Sequence, residues 1–312
     1  MERAKEHKYV GHWMDERGTY EINIEKNKAR ISMMIASIAA IGSKEMGTMA
    51  AEVRLNLVNV VVMKSLLYNI EAIPQTARET KELEKMQQHI LTKLMNVPRS
   101  TPYWGLLLET GMWTMEARVE YTKLMLYHNI KNSDEERIIK QIVKVQEEEV
   151  RESTWTADVK RIMKKYGIEK DVSCLKSEWK KDVKDKIHEK VEYDTQEKCK
   201  NMKKTRTVKD DELQMKAYLK ETTMEESSDI MRMRLHMTKI PCNYGLCEHQ
   251  CPLCGLQEKI QIEHYFGECL MTNRIADVWG VKFENAKGTV EEQRNVKNYL
   301  EKVEILMEQH MV

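Results

Sequence analysis

The stretch Cys251-Pro-Leu-Cys254-Gly255, followed by His264 and Cys269, has a C-x2-C-x9-H-x4-C spacing, and the folding of the C-terminal third turns on how it is read. Two thiols separated by two residues can grip one tetrahedral ion from a single tight turn. A His and a third Cys presented shortly afterwards complete a closed zinc shell, which makes the expected role structural and not catalytic. Gly255 supplies the turn after the second thiol, because only glycine adopts positive φ without steric cost. Cys242, Cys247 and His249 lie just upstream and could replace one ligand, His264 most readily. The bland alternative is that these cysteines are small buried hydrophobes.

Composition sets the outer bounds. The chain has 312 residues, 32% of them charged and 41% hydrophobic, with a net charge of +1. That length accommodates two domains of ordinary soluble composition. Seven cysteines and no secretory leader point to a reducing interior, nucleus or cytoplasm. Apolar runs such as Val60 to Met63 are too short to span a bilayer, so no membrane partner is expected. With the net charge near zero, a nucleic-acid surface requires local segregation of charge.

At the amino end, His7 to Met14 and Thr19 to Ile24 read as two strands around a turn at Asp15 to Gly18. From Glu25 the period becomes helical, with Ile31, Met34, Ile35, Ile38 and Ile41 on one face. A second helix, about Gly47 to Ile70, carries valines and leucines round most of its circumference, which predicts a central buried helix. After Pro74, Thr76 or Thr80 caps a helix striped by Leu83, Met86, Ile90, Leu94 and Val97. Pro98 and Pro102 bracket an extended connection, and a fourth helix runs from Met115 to Ile130. On it, His128 reads as an interhelical contact and not a ligand.

Nearly half the positions from 131 to 230 are Asp, Glu, Lys or Arg, which predicts helices with mixed-charge faces acting mainly as a solvated connector. Apolar stripes survive at Ile138, Ile139, Ile142 and Val143, at Val159, Ile162, Met163 and Tyr166, and at Leu175, Trp179, Val183, Ile187 and Val191. Lys198, Lys200, Lys203, Lys204, Arg206 and Lys209 form an acid-free basic run that can neutralise phosphates, although such runs also serve as plain solubilising surface. Arg232 and Arg234 could add phosphate contacts through the guanidinium fork. Asp210-Asp211 sits in a polar stretch and reads as solvated surface or a helix N-terminus. A closing helix, about Val290 to Met307, is striped by Val296, Leu300, Val303 and Met307.

Ile90 to Pro98, Arg99-Ser-Thr-Pro-Tyr-Trp-Gly105, Leu106-Leu-Leu-Glu109-Thr-Gly111 and Met115-Glu-Ala-Arg118 together resemble the segment that follows the catalytic core in reverse transcriptases of non-LTR (LINE-like) retrotransposons. Lys8-Tyr-Val-Gly11 resembles that family's strand at the palm's end, and Arg234-Leu-His-Met237 resembles the Arg-x-x-Met before its Cys-x-x-Cys. The resemblance implies a mainly α chain with a palm-end hairpin (1–24), a thumb-like helical bundle (25–130), a charged helical linker (131–229), a CCHC zinc knuckle (230–275) and a helical tail (276–312). It implies binding of template RNA or an RNA/DNA duplex, with target DNA and a separate polymerase core as further partners. The family's catalytic Asp pair would precede Lys8, so polymerase chemistry is not expected of this chain. Nor is a restriction-like nuclease expected, since Asp277 is the one Asp after Cys269. The rival readings are a zinc-stabilised structural or protein-interaction module, and a zinc hydrolase using Glu263 or Glu268 as base.

Overall fold

The computed structural model describes residues 6–9, 11–16, 20–41, 51–73, 75–148, 154–238, 240, 251–255 and 262–310. The chain is mainly α-helical with one short N-terminal hairpin. It packs as two compact units interleaved in sequence. The first comprises Met1–Ile38, Asn56–His89 and Trp113–Tyr193, and the second Ala39–Leu55, Ile90–Met112 and Asp194–Val312. Among the described residues no helix is long and apolar enough to cross a membrane.

In the first unit, β1 (Glu6–Tyr9) and β2 (His12–Asp15) pair antiparallel with Glu6 opposite Asp15, turning tightly at Gly11. The hairpin is thus shorter than expected, and the alternating residues assigned to a second strand begin helix α1 (Glu21–Ile41) instead. The amides of Asn23 and Ile24 bond back to the Tyr20 carbonyl at 3.0 and 3.2 Å. Asn23 bonds the Trp13 amide at 2.9 Å and its carbonyl at 2.6 Å, fastening the hairpin to the helix. An isolated two-stranded hairpin is marginal in water, so this clamp supplies the packing it lacks. Ile31, Ile35 and Ile38 are buried as expected.

The expected second helix appears as α2 (Ala51–Leu57), a wider π-helical stretch over Val58–Met63 and α3 (Lys64–Leu66). It is not buried all round. Val58, Val62 and Leu66 are inside, but Val53, Val60 and Val61 are exposed. Helix α4 (Ala77–Leu94) starts with a capping box in which the Glu79 amide bonds Thr76 Oγ1 at 3.2 Å and the Thr76 amide bonds Glu79 Oε2 at 2.7 Å. Glu79 also accepts the Tyr20 amide at 2.6 Å, which ties the start of α4 to the start of α1.

Helix α6 (Met115–Lys131), α7 (Ile138–Glu148) and α8 (Trp155–Lys165) follow, then α9 (Lys176–Lys200). His128 makes the expected internal contacts: Nε2 lies 3.0 Å from the Cys174 carbonyl and the ring stacks on Trp179, while Nδ1 has no partner. The charged stretch is more than a solvated connector. Trp179, Val183 and Ile187 are fully enclosed, the Trp179 indole donates to the Leu124 carbonyl at 3.2 Å, and buried Lys123 pairs with Asp158 at 2.7 Å. Val159, Ile162 and Tyr166 are buried as well, whereas on α7 only Val143 of the expected stripe is inside.

In the second unit, α5 (Tyr103–Thr110) is buried from Gly105 to its end, with Leu106, Leu107 and Leu108 all enclosed. It ends at Gly111, whose φ of +67° and closeness to the Met215 amide (2.5 Å from where a Cβ would sit) leave no room for a side chain. Helices α10 (Tyr218–Glu221), α11 (Met224–Arg234), α12 (His264–Gly267), α13 (Asn273–Trp279) and α14 (Val290–His310) complete it. All four residues of the closing stripe, Val296, Leu300, Val303 and Met307, are buried.

Candidate metal centre

Local backbone geometry brings Cys251, Cys254, His264 and Cys269 together. The Gly255 amide bonds the Cys251 carbonyl at 2.9 Å with Gly255 at φ +70°, and the backbone N–H groups of Leu253 and Cys254 point at the Cys251 sulfur. Nineteen-residue closure comes from α12, where the Glu268 and Cys269 amides both reach the His264 carbonyl, at 2.9 and 2.8 Å. One ligand atom from each of the four residues lies within 4.8 Å of every other. Cys251 Sγ and Cys269 Sγ are 3.9 Å apart, and Cys254 Sγ lies 3.4 Å from His264 Nε2.

A tetrahedron with Zn–S bonds of about 2.3 Å and Zn–N bonds of about 2.0–2.1 Å has edges of about 3.5–3.8 Å. The two separations lie within about 0.1 Å of such edges, and with all four atoms within 4.8 Å the donor set is compatible with a tetrahedral Cys3His ion. The surroundings fit it too. Cys251, His264 and Cys269 are buried and Cys254 is half-buried. The other ring nitrogen, His264 Nδ1, accepts or donates no hydrogen bond, but it has the Glu268 carboxylate 3.5 Å away, the place a carboxylate takes in orienting a ligating imidazole. Burial pushes the Cys251 thiol up while the two N–H groups pull it back toward the thiolate. The Tyr265 hydroxyl, buried beside Cys251, is likewise raised, first by burial and then by the sulfur's charge.

The centre is anchored through Tyr265. Its carbonyl accepts the Thr272 hydroxyl at 2.7 Å and also the hydroxyl of Tyr299 on α14. Phe266 packs on Tyr299, with ring centroids 4.9 Å apart. Cys242, Cys247 and His249, the alternative ligands, lie outside the described residues, as does the whole loop between Gly255 and Ile262.

The basic run divides. Lys198, Lys200 and Lys203 are exposed, and Lys200 also meets Glu197 at 2.6 Å. Lys204, Arg206 and Lys209 are half-buried. Arg206 reaches Glu263 at 2.8 Å, next in sequence to His264, and also donates to His236 Nε2 at 3.3 Å. The two α11 arginines are engaged within the protein. Arg232 pairs with Asp229 at 3.1 Å and donates to the Asn96 carbonyl.

Arg234 corrects the expectation of a phosphate contact, being 2% exposed. Its Nε bonds both oxygens of Glu109, at 2.9 and 3.2 Å, and its Nη atoms bond Asp211 and the Ala286 carbonyl. Tyr218 donates to the same Glu109 at 2.5 Å. Burial alone would lower the Arg234 guanidinium, but the negative charges of Glu109 and Asp211 hold it above its ordinary value. Asp211 is therefore an internal partner and not solvated surface, while Asp210 is exposed. Of these partners only Glu268, four residues after His264 on the same helical face, had a readable signal in the sequence. Tyr265, Tyr299 and Glu263 become functional only through distant contacts.

Compared with models of known protein families, with curated proteins and with solved structures, the chain matches none of them, so its site is read from its own residues.

Proposed function

We propose that the chain is the C-terminal part of a non-LTR retrotransposon reverse transcriptase: palm-end hairpin, thumb-like helices and a CCHC zinc module that together bind nucleic acid. The observation that carries the binding role is the ion pair from Arg206 to Glu263, which ties one member of the basic run to the residue before His264. A Zn2+ held by Cys251, Cys254, His264 and Cys269 would lock this corner and perform no chemistry on a substrate, because four protein ligands leave no position for water. Lys198, Lys200 and Lys203 are exposed and free of acidic neighbours in sequence from 198 to 209, which suits contact with phosphates without reading sequence.

The family reading gains support from Glu109-x-Gly111 and Arg234-x-x-Met237. These segments, each singled out by resemblance, meet through the buried Glu109–Arg234 pair. In the parent enzyme the partners would be template RNA or the RNA/DNA duplex, target DNA and the polymerase core. A second reading, a zinc-stabilised protein-interaction module, is favoured by apolar side chains left open near the centre: Leu270, Met271, Val278 and Trp279.

A salt titration of single-stranded RNA binding by the whole chain separates the two. Phosphate contacts lower log K by about 0.7 per contact for each decade of salt, so a Lys198→Glu, Lys200→Glu, Lys203→Glu variant should flatten the slope by about two. Binding that is negligible even at low salt, or a slope the triple variant leaves unchanged, favours the interaction module.

A further inference from the structure

Within the first unit, a cavity of about 650 Å³ opens between the hairpin, the start of α1 and the residues around α3. That volume falls in the usual range for small-molecule sites. Among the described residues its walls carry four cations, Lys8, Lys26, Arg30 and Lys64, and no carboxylate. Three aromatic residues share the lining, Trp13, Tyr68 and the buried Tyr20. In a chain of net charge +1, such one-sided charge in a concave place is local segregation, and it concentrates field for an anion.

The walls are held in place independently of any ligand. Asn23 grips both backbone groups of Trp13, and the buried Tyr20 hydroxyl donates to the Leu66 and Tyr68 carbonyls, at 2.8 and 3.1 Å. The Tyr68 ring approaches the tight turn, 3.4 Å from where a Gly11 Cβ would sit, yet remains about half open to solvent. Lys26 lies 4.7 Å and Lys8 5.8 Å from the centre of the Trp13 ring. Lys26 also reaches Glu6 at 3.4 Å, but both are half-exposed and such a pair is readily displaced.

We propose that this cavity is a nucleotide site in which the four cations take the phosphates and the open face of Tyr68 stacks the base. Phosphate alone would need only the charges. The aromatic rings beside them select a ligand with a flat heterocycle, supplied either as a free nucleoside phosphate or as the phosphorylated end of a strand. This inference does not depend on the zinc module or on the basic run of the second unit.

Calorimetric titration of the full chain tests it with ATP, inorganic triphosphate and a short 5′-phosphorylated DNA strand. ATP should bind at one site, and Lys64→Glu, at an exposed position, should weaken it about tenfold or more. Tyr68→Ala should weaken ATP by about fivefold or more while leaving triphosphate unaffected, since stacking of one base contributes about 1–3 kcal/mol. If the strand displaces ATP, the natural source is a strand end, and if it does not, a free nucleotide. The proposal is overturned if ATP fails to bind at millimolar concentration, if triphosphate binds as tightly as ATP, or if Lys64→Glu and Tyr68→Ala both leave ATP affinity unchanged.

Discussion

Stripping metal from the loaded chain with a chelator should abolish the cooperative unfolding of the second unit's C-terminal part and deprotect the amides of α12 and α13. The expected effect is the largest in the molecule, because structural zinc contributes an apparent binding energy of about 10–16 kcal/mol, as much as the whole stability of a typical domain. Helix α12 is a single turn, attached to α14 through the Tyr265 carbonyl, which accepts the Tyr299 hydroxyl, and through the Phe266–Tyr299 ring contact. Once the four ligands separate, the buried thiols and Phe266 lose the frame that encloses them. Hydrogen exchange with and without chelator measures this directly. Unchanged protection at Tyr265 and Cys269 would mean that packing alone holds the four side chains together.

Arg234→Met should destabilise the second unit by about 3–5 kcal/mol, since it leaves a fully buried carboxylate without its counter-charge. Among the described residues Glu109 would keep the Tyr218 hydroxyl, and Asp211 would keep Lys216, 3.5 Å away. Glu109→Leu combined with Arg234→Met should recover much of the loss, because removing both charges removes the need to solvate either. Chemical denaturation of the single and double variants measures the pattern. A loss below about 1 kcal/mol for Arg234→Met would show that water reaches the pair. The single variant also separates structure from binding. Below its melting point it should keep the salt dependence of RNA binding, whereas a direct phosphate contact by Arg234 would reduce it.

What the sequence revealed depended on whether an element had two unlike faces. Leu83, Met86, Ile90, Leu94 and Val97 form a stripe bounded by polar residues, and all five are buried. The closing helix behaved likewise. Helix α5 gave no such signal, because a segment enclosed on all sides has no polar face to set its period. Thr19 to Ile24 misled for a related reason. Its apolar residues alternate, but Tyr20, Asn23 and Ile24 also share one helical face, and the bonds back to the Tyr20 carbonyl settle the choice.

The four candidate ligands were legible because a short chain segment sets their spacing. The fate of the arginines was not. Arg232 and Arg234 are two residues apart on one helix, yet one is half-buried and the other is enclosed by Glu109, 125 positions earlier in the chain. Local charge content cannot reveal a counter-ion at that separation. The same holds for the cavity cations, which come from the hairpin, α1 and α3 and form no run in the sequence.

The central claim is that one zinc ion joins Cys251, Cys254, His264 and Cys269. X-ray absorption at the zinc edge of the purified chain tests it most directly. The account predicts one zinc per chain, with three sulfurs at about 2.3 Å and one nitrogen at about 2.0–2.1 Å. A shell of oxygen and nitrogen without sulfur, or a stoichiometry near zero in a folded chain, would contradict it.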